Sequence, residues 1–195
     1  CALGRPDALE TLHRYRIGFK GGKVEFWHFD GYDYLNCKSI AYGPDLKRSG
    51  FPIYKGTTDN GYIIPLYGMH LLRERPNAPV LLVESEKSAF LGSLLPEFQQ
   101  FVALATGGTN VNIKKLWPLE GRNVCILFDC DNEPEKRSKL MHTCNRIKDD
   151  LTDFAKSVHV LNQYEIFSPE SINYEDLDGR PDGFDLGDAA IMWLA

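Results

Sequence analysis

The second half of the chain repeats one rhythm, a short apolar run followed by an amphipathic stretch, and few architectures accept it. Val80-Leu81-Leu82-Val83, Phe101 to Ala105, Val124 to Phe128 and Ser157 to Leu161 each have the length and composition of a buried strand. A helix is predicted from Glu86 to Leu95 after the first of them. After the third, Leu140, Met141, Cys144, Ile147, Leu151 and Phe154 recur at three- and four-residue steps, which is the stripe of an amphipathic helix. A terminal helix is expected from Asp188 to Leu194. Short strands alternating with helices make parallel neighbours, because each crossover helix must pack back on the sheet it left. The fold class is therefore α/β, with a parallel sheet of about four strands and helices on both faces.

The first part of the chain has a different pattern. Lys23 to Phe29 alternates and is aromatic, Asp30-Gly31-Tyr32-Asp33 forms a turn, and Cys37 to Tyr42 is a returning strand. A further strand is expected at Tyr62 to Leu66 and a short helix at Gly68 to Leu72. The charged, proline-punctuated stretch from Arg73 to Pro79 marks a seam. It separates a smaller β-rich α+β subdomain, residues 1–77, from an α/β domain, residues 78–195.

Composition narrows the function classes. With 195 residues, 43% hydrophobic and 25% charged, the chain has the makeup of a globular protein with a real core. No apolar run approaches the roughly 20 residues that span a bilayer, and no signal peptide opens the chain, so no membrane partner is expected and the cytoplasm is the expected location. The chain begins at Cys1 without an initiator Met, as a segment of a longer protein would. Its five cysteines form no CxxC pair and match neither a zinc ribbon nor a disulfide framework, so reduced thiols are expected. The net charge of −5 argues against binding nucleic acid by global electrostatics. That charge is uneven: up to Arg75 there are 11 Lys/Arg against 8 Asp/Glu, and beyond it 11 against 19. An acidic, metal-dependent half beside a mildly basic half that steadies a phosphate backbone fits this split, as does an ordinary solvated surface.

In open α/β sheets, sites form beyond the carboxyl ends of the strands. Here the first strand ends in Glu84-Ser85-Glu86-Lys87, the second in Thr106-Gly107-Gly108-Thr109 and the third in Asp129-Cys130-Asp131. Mg²⁺ takes hard oxygen ligands and keeps several waters, so one or two carboxylates plus a substrate phosphate suffice. Asp129 and Asp131 are spaced to face one ion, Gly107 and Gly108 let backbone N–H groups approach a phosphate, and Glu84 is placed to hold a metal or move a proton. Each piece also has a plain structural reading. An Asp after a strand is a common turn former or helix cap, a glycine pair is a common turn, and Glu86 suits a solvated first helical turn. The five histidines show no ligand spacing, Phe26 and Trp27 suit a core, and Arg14, Arg16, Lys20 and Lys23 form either a phosphate-facing strip or a solvated face.

The run Val83-Glu84-Ser85-Glu86-Lys87-Ser88-Ala89, then Ala105-Thr106-Gly107-Gly108, then Leu127-Phe128-Asp129-Cys130-Asp131 resembles the Toprim domain of bacterial primases, phage primase-helicases, topoisomerases and some nucleases. Gly183-Phe184-Asp185-Leu186-Gly187-Asp188-Ala189 is similar to the G-x-D-x-x-D segment that follows the last Toprim strand in primases. Tyr15-Arg16-Ile17-Gly18, the strand around Phe26-Trp27 and Leu66-Tyr67-Gly68 resemble, in order, the segment preceding Toprim in primase cores. The resemblance spans residues 14 to 194 and points to primase-like proteins of mobile elements or plasmids, which act in DNA replication and often carry an upstream zinc-binding module.

The resemblance implies catalytic Glu84, Asp129 and Asp131, and Mg²⁺ or Mn²⁺ held by these three with Asp185, which is equally suited to capping the last helix. It implies phosphate or nucleic-acid contacts from Gly107, Gly108, Lys87, Lys136 and Arg137. Single-stranded DNA and nucleotides are the implied partners, with a replicative helicase as a further one. The chain departs from primases after the aspartate pair, where Asn132-Glu133-Pro134-Glu135-Lys136-Arg137 stands in place of a glycine and an arginine. The leading expectation is a primase-like nucleotidyltransferase. A Toprim nuclease would need the same acids, and a nucleic-acid-binding module of weak catalytic power would suit Glu133 and Glu135. A haloacid-dehalogenase-like phosphatase ranks below these, because its Asp-x-Asp normally opens the domain.

Overall fold

The computed structural model describes residues 6–44, 47–56, 63–129, 134–161, 186–188 and 190. After a short helix, α1 (Pro6–Arg14), the chain builds an antiparallel meander of β1 (Ile17–Lys20), β2 (Lys23–Phe29), β3 (Tyr34–Tyr42) and β4 (Arg48–Gly56), paired in sequence order. The β2–β3 turn is held by Asp30, whose carboxylate accepts from the backbone N–H groups of Tyr32 and Asp33. β4 is an edge strand exposed almost throughout, which is why its Pro52 and Gly50 do no harm.

The expected strand at 62–66 does not form over its described part. Residues 63–66 run outside any ladder, where Pro65 has no N–H to give, and only Tyr67 bridges, to Ala105. The helix expected at Gly68 to Leu72 is instead a turn followed by α2 (Leu71–Glu74).

The second sheet is parallel, made of β5 (Val80–Val83), β6 (Val102–Ala105), β7 (Asn123–Ile126) and β8 (Ser157–Val160) in the spatial order β6-β5-β7-β8. β5 and β6 are buried at every position, as strands covered on both faces must be. Connecting them are α3 (Glu86–Gly92), α4 (Ile113–Leu116) and α5 (Pro134–Thr152). α3 ends earlier than the expected Leu95, and a 3₁₀ turn at Pro96–Phe98 follows. The β5–β6 crossover steps one way and the β6–β7 crossover steps back over β5. Since such crossovers are right-handed, α3 covers one face of the sheet while α4 and α5, which touch each other, cover the other.

The two sheets share one core. Tyr15, Phe26, Ile40 and Tyr67 pack into the same buried cluster as the four parallel strands. Tyr15 donates to the Ala103 carbonyl, and Tyr67 donates to the carbonyl of Tyr15. The seam is tied down as well. The Arg75 guanidinium grips the carbonyls of Gln99, Gln100 and Phe101, and Arg122 reaches the carbonyls of Leu72 and Arg75.

Residues 186–188 and 190 are helical, and the rest of the expected terminal helix lies outside the described residues. Leu186 is buried against Gly92 of α3, and Lys87 of α3 pairs with Asp188 at 2.9 Å.

Candidate functional site

The strand order puts a topological switch point between β5 and β7. Their crossovers leave in opposite directions, the arrangement in which open α/β sheets bind ligands beyond the strands' carboxyl ends. Glu84 follows β5 directly and Asp129 lies three residues beyond β7; both are half-buried. Register sets them level: Leu82 stands opposite Ile126, and the Leu127 N–H continues the ladder onto the Leu82 carbonyl.

Both carboxylates lie within electrostatic reach of one group of α5. The Cys144 thiol of α5 is pushed up to about 12, first by burial and then by the negative charges of Glu84 and Asp129 together. Asp131 and Asp185 lie outside the described residues. Among the described residues no three His, Cys, Asp or Glu side chains gather as a metal-holding group.

The glycine turn abuts Glu84. The Gly107 N–H donates to the Glu84 carbonyl at 2.8 Å and the Thr106 N–H to that of Val83, while the Thr106 hydroxyl donates to the Gly108 carbonyl. Gly107 and Gly108 both take positive φ, 78° and 143°. The Gly107 N–H is thus engaged by the protein, and it is at Gly108 that the backbone faces open space. Ser85 caps α3, its hydroxyl accepting from the Ser88 N–H, and this carries the chain sharply from Glu84 into the helix.

Lys87 pairs with Asp188. Lys136 and Arg137 stand exposed in the first turn of α5.

Glu86 departs from its expected place in solvent. It is 1% exposed and meets Lys38 of β3 at 2.7 Å, with His28 Nε2 of β2 at 3.5 Å. Burial pushes the Glu86 carboxyl up, but His28 and the Lys38 ammonium outweigh it and hold the group down at about 2. The Pro65 carbonyl can only accept, so His28 Nδ1 carries a proton toward it at 3.2 Å. A helix of sequence-typical polarity is thereby clamped to the other sheet by partners 48 and 58 positions away in the chain. Lys115 of α4 completes the cluster, donating to the Thr106 carbonyl at 2.5 Å. Sequence alone missed Lys38, His28 and Lys115, because nothing in their local spacing points to Glu86. The only signal was the pairing of a glutamate in the strand–helix turn with a glycine across from it.

The His residues otherwise behave as surface and core groups. His13, His142 and His159 are exposed, whereas His70 is buried with Nε2 donating to the Arg14 carbonyl. Phe26 is core, and Trp27 is half-buried edge-on to Tyr34. Cys37, Cys125 and Cys144 are free thiols.

Solved structures share this fold. A family model described as Domain of unknown function (DUF6371) matches residues 2–130. No curated protein matches the chain. Among solved structures, the DnaG primase catalytic domain bound to single-stranded DNA is similar at a TM-score of 0.53 and 17% identity, over 97% of this chain and 58% of that one. A DNA primase domain from Pseudomonas aeruginosa is similar at 0.52 and 15% identity, over 97% and 56%. The zinc-binding and RNA polymerase domains of the Aquifex aeolicus primase are similar at 0.51 and 14% identity, over 99% and 47%. This chain thus spans about half the length of those structures, and at these identities the likeness establishes a shared fold, that of a primase catalytic core.

Proposed function

This chain belongs to the DUF6371 family, and we propose that it is a primase-like core for metal-dependent nucleotidyl transfer on nucleic acid. The observation that carries this reading is the placement of Glu84 and Asp129 just beyond the level carboxyl ends of two neighbouring strands at the switch point. The match to primase catalytic cores over nearly the whole chain supports it. Because the similar DnaG domain was captured with single-stranded DNA, single-stranded DNA is the proposed template.

The residues fit a divalent cation. Two hard-oxygen donors follow the carboxyl ends of neighbouring strands, and these are the ligand type a divalent cation takes. Glu84 and Asp129 would hold Mg²⁺ or Mn²⁺, with Asp131 and Asp185 as further candidate ligands. When bound, the metal supplies charge neutralisation for phosphates and activates an attacking hydroxyl. Glu84 is the group positioned to take the proton of that hydroxyl. The glycine turn fixes the Glu84 backbone through the Gly107 N–H. Lys136 and Arg137, in the first turn of α5, are the basic groups proposed to meet nucleic-acid phosphates.

The test is Asp129→Asn in the full-length protein, assayed for primer synthesis on single-stranded DNA with Mg²⁺ or Mn²⁺. Loss of about 100-fold or more is expected for removing one charged ligand; full retention of activity would defeat the assignment. Metal-dependent cleavage by the wild type without synthesis would reassign the same acids to a nuclease.

A further inference from the structure

A second charged cluster lies against the glycine turn that bonds to the Glu84 backbone, and the proposed metal centre does not use it. Lys115 stands on α4, a turn of helix whose start is capped by the Asn112 side chain accepting from the Lys114 N–H. Its ammonium lies 3.9 Å from where a Cβ on Gly107 would stand, and Glu86 Oε1 lies 3.3 Å from the same point. The turn that follows β6 therefore rests directly on a lysine and a glutamate.

Charge in this cluster does not balance. Glu86 is taken up by Lys38 at 2.7 Å. Among the described residues no carboxylate pairs with Lys115, whose hydrogen bond goes to the Thr106 carbonyl. An ammonium has three donors, and this bond uses one of them. Lys115 is therefore the cationic excess of a largely buried group, a condition that costs stability unless an anion arrives. Among the described residues, a Cβ on Gly108 beside it would meet nothing within 4 Å. Burial brings Lys115 down to about 8, with Glu86 opposing and Lys38 adding to the shift, so it is still mostly protonated at neutral pH.

We propose that Lys115, reaching across the Gly107–Gly108 turn, binds the phosphate tail of a nucleoside triphosphate beside Glu84 and Asp129. The assignment deepens the nucleotidyl-transfer reading and rests on it for the identity of the substrate. A triphosphate tail suits the place better than a backbone phosphodiester does. Its terminal groups are slim and highly charged, whereas a phosphodiester carries one charge between two sugars and would have to bring both to a half-buried ammonium.

The experiment is calorimetric titration of the intact protein with inorganic tripolyphosphate in EDTA, so that no metal contributes. Lys115→Met and Lys115→Gln are compared with Lys114→Met, which removes the same charge from the exposed neighbour. Losing a charge-assisted hydrogen bond should weaken binding about 10- to 100-fold in both Lys115 variants, and Lys114→Met should stay within about threefold of wild type. Equal affinity in Lys115→Met and wild type, or no binding by wild type, overturns the proposal. So does a loss confined to a 5′-hydroxyl oligonucleotide with tripolyphosphate affinity unchanged. If Lys115→Met loses tripolyphosphate while Asp129→Asn keeps primer synthesis, the phosphate site stands and the metal centre falls.

Discussion

Replacing Glu86 by methionine is expected to cost about 3–5 kcal/mol of folding stability, the penalty for stranding a buried charge. The figure follows from the geometry. At 2.7 Å the Glu86–Lys38 pair has a gross attraction of about 6 kcal/mol at the effective dielectric suited to proteins. Desolvation cancels much of this, since both side chains are under a tenth exposed. Removing one partner forfeits the attraction and leaves the other partner's desolvation unrelieved. Lys38→Met should therefore cost a similar amount, because it strands the carboxylate. The double variant Glu86→Met with Lys38→Met leaves neither charge and fills the space with apolar atoms, so it should lie close to wild type. The assay is urea unfolding followed by tryptophan fluorescence, analysed as a double-mutant cycle. A coupling energy of about 3 kcal/mol or more is expected. The reasoning is refuted if each single variant costs under about 1 kcal/mol, or if the double variant loses the sum of the two.

Lys115→Met should stabilise the protein at pH 7. A lysine held at about 8 rather than 10.5 releases in the folded state a proton that the unfolded chain keeps, so wild-type stability rises with pH across that window. The charge costs about 3 kcal/mol at pH 7, less about 1 kcal/mol for the lost bond to Thr106. Urea midpoints should therefore favour the variant at pH 7 and converge by about pH 10.5; a destabilised variant at pH 7 would count against the unbalanced charge. Gly92→Ala puts a Cβ 2.3 Å from the buried Leu186 side chain, and overpacking of about 1–3 kcal/mol should exceed the gain of about 1 kcal/mol in helix propensity. Limited proteolysis should then cut near Leu186 faster than in wild type, and an unchanged cleavage rate would refute the docking. Gly107→Ala should cost about 1–2 kcal/mol, because φ is +78° and the new methyl meets Glu86 Oε1; its denaturation midpoint checks this, a midpoint equal to wild type refuting it.

Much of the parallel sheet was legible because its strands are apolar runs with no other use, and Cys144, Ile147 and Leu151 repeat at helical spacing, whereas Met141 is exposed and Phe154 lies past the end of α5. α1 was missed because nine residues make only about two and a half turns, too few for its apolar positions, Ala8 buried and Leu12 half-buried, to stand out as a stripe. β4 was missed because it is exposed along nearly its whole length and held by backbone pairing to β3, which any residue type can supply. Glu86 was misplaced because an acid in the first turn of a helix already has a local explanation in the helix dipole.

By itself the sequence determined that short buried strands alternate with helices and that Glu84, the glycine pair and Asp129 each leave the end of one. These are local properties, carried by residue type and spacing along a few dozen positions. Only the tertiary structure decided that β5 sits between β6 and β7, which brings Glu84 and Asp129 just beyond the carboxyl ends of neighbouring strands. It alone brought Lys38 and Lys115 to Glu86, since strand order and cross-sheet contact arise from how distant segments share a core, and no local pattern encodes them.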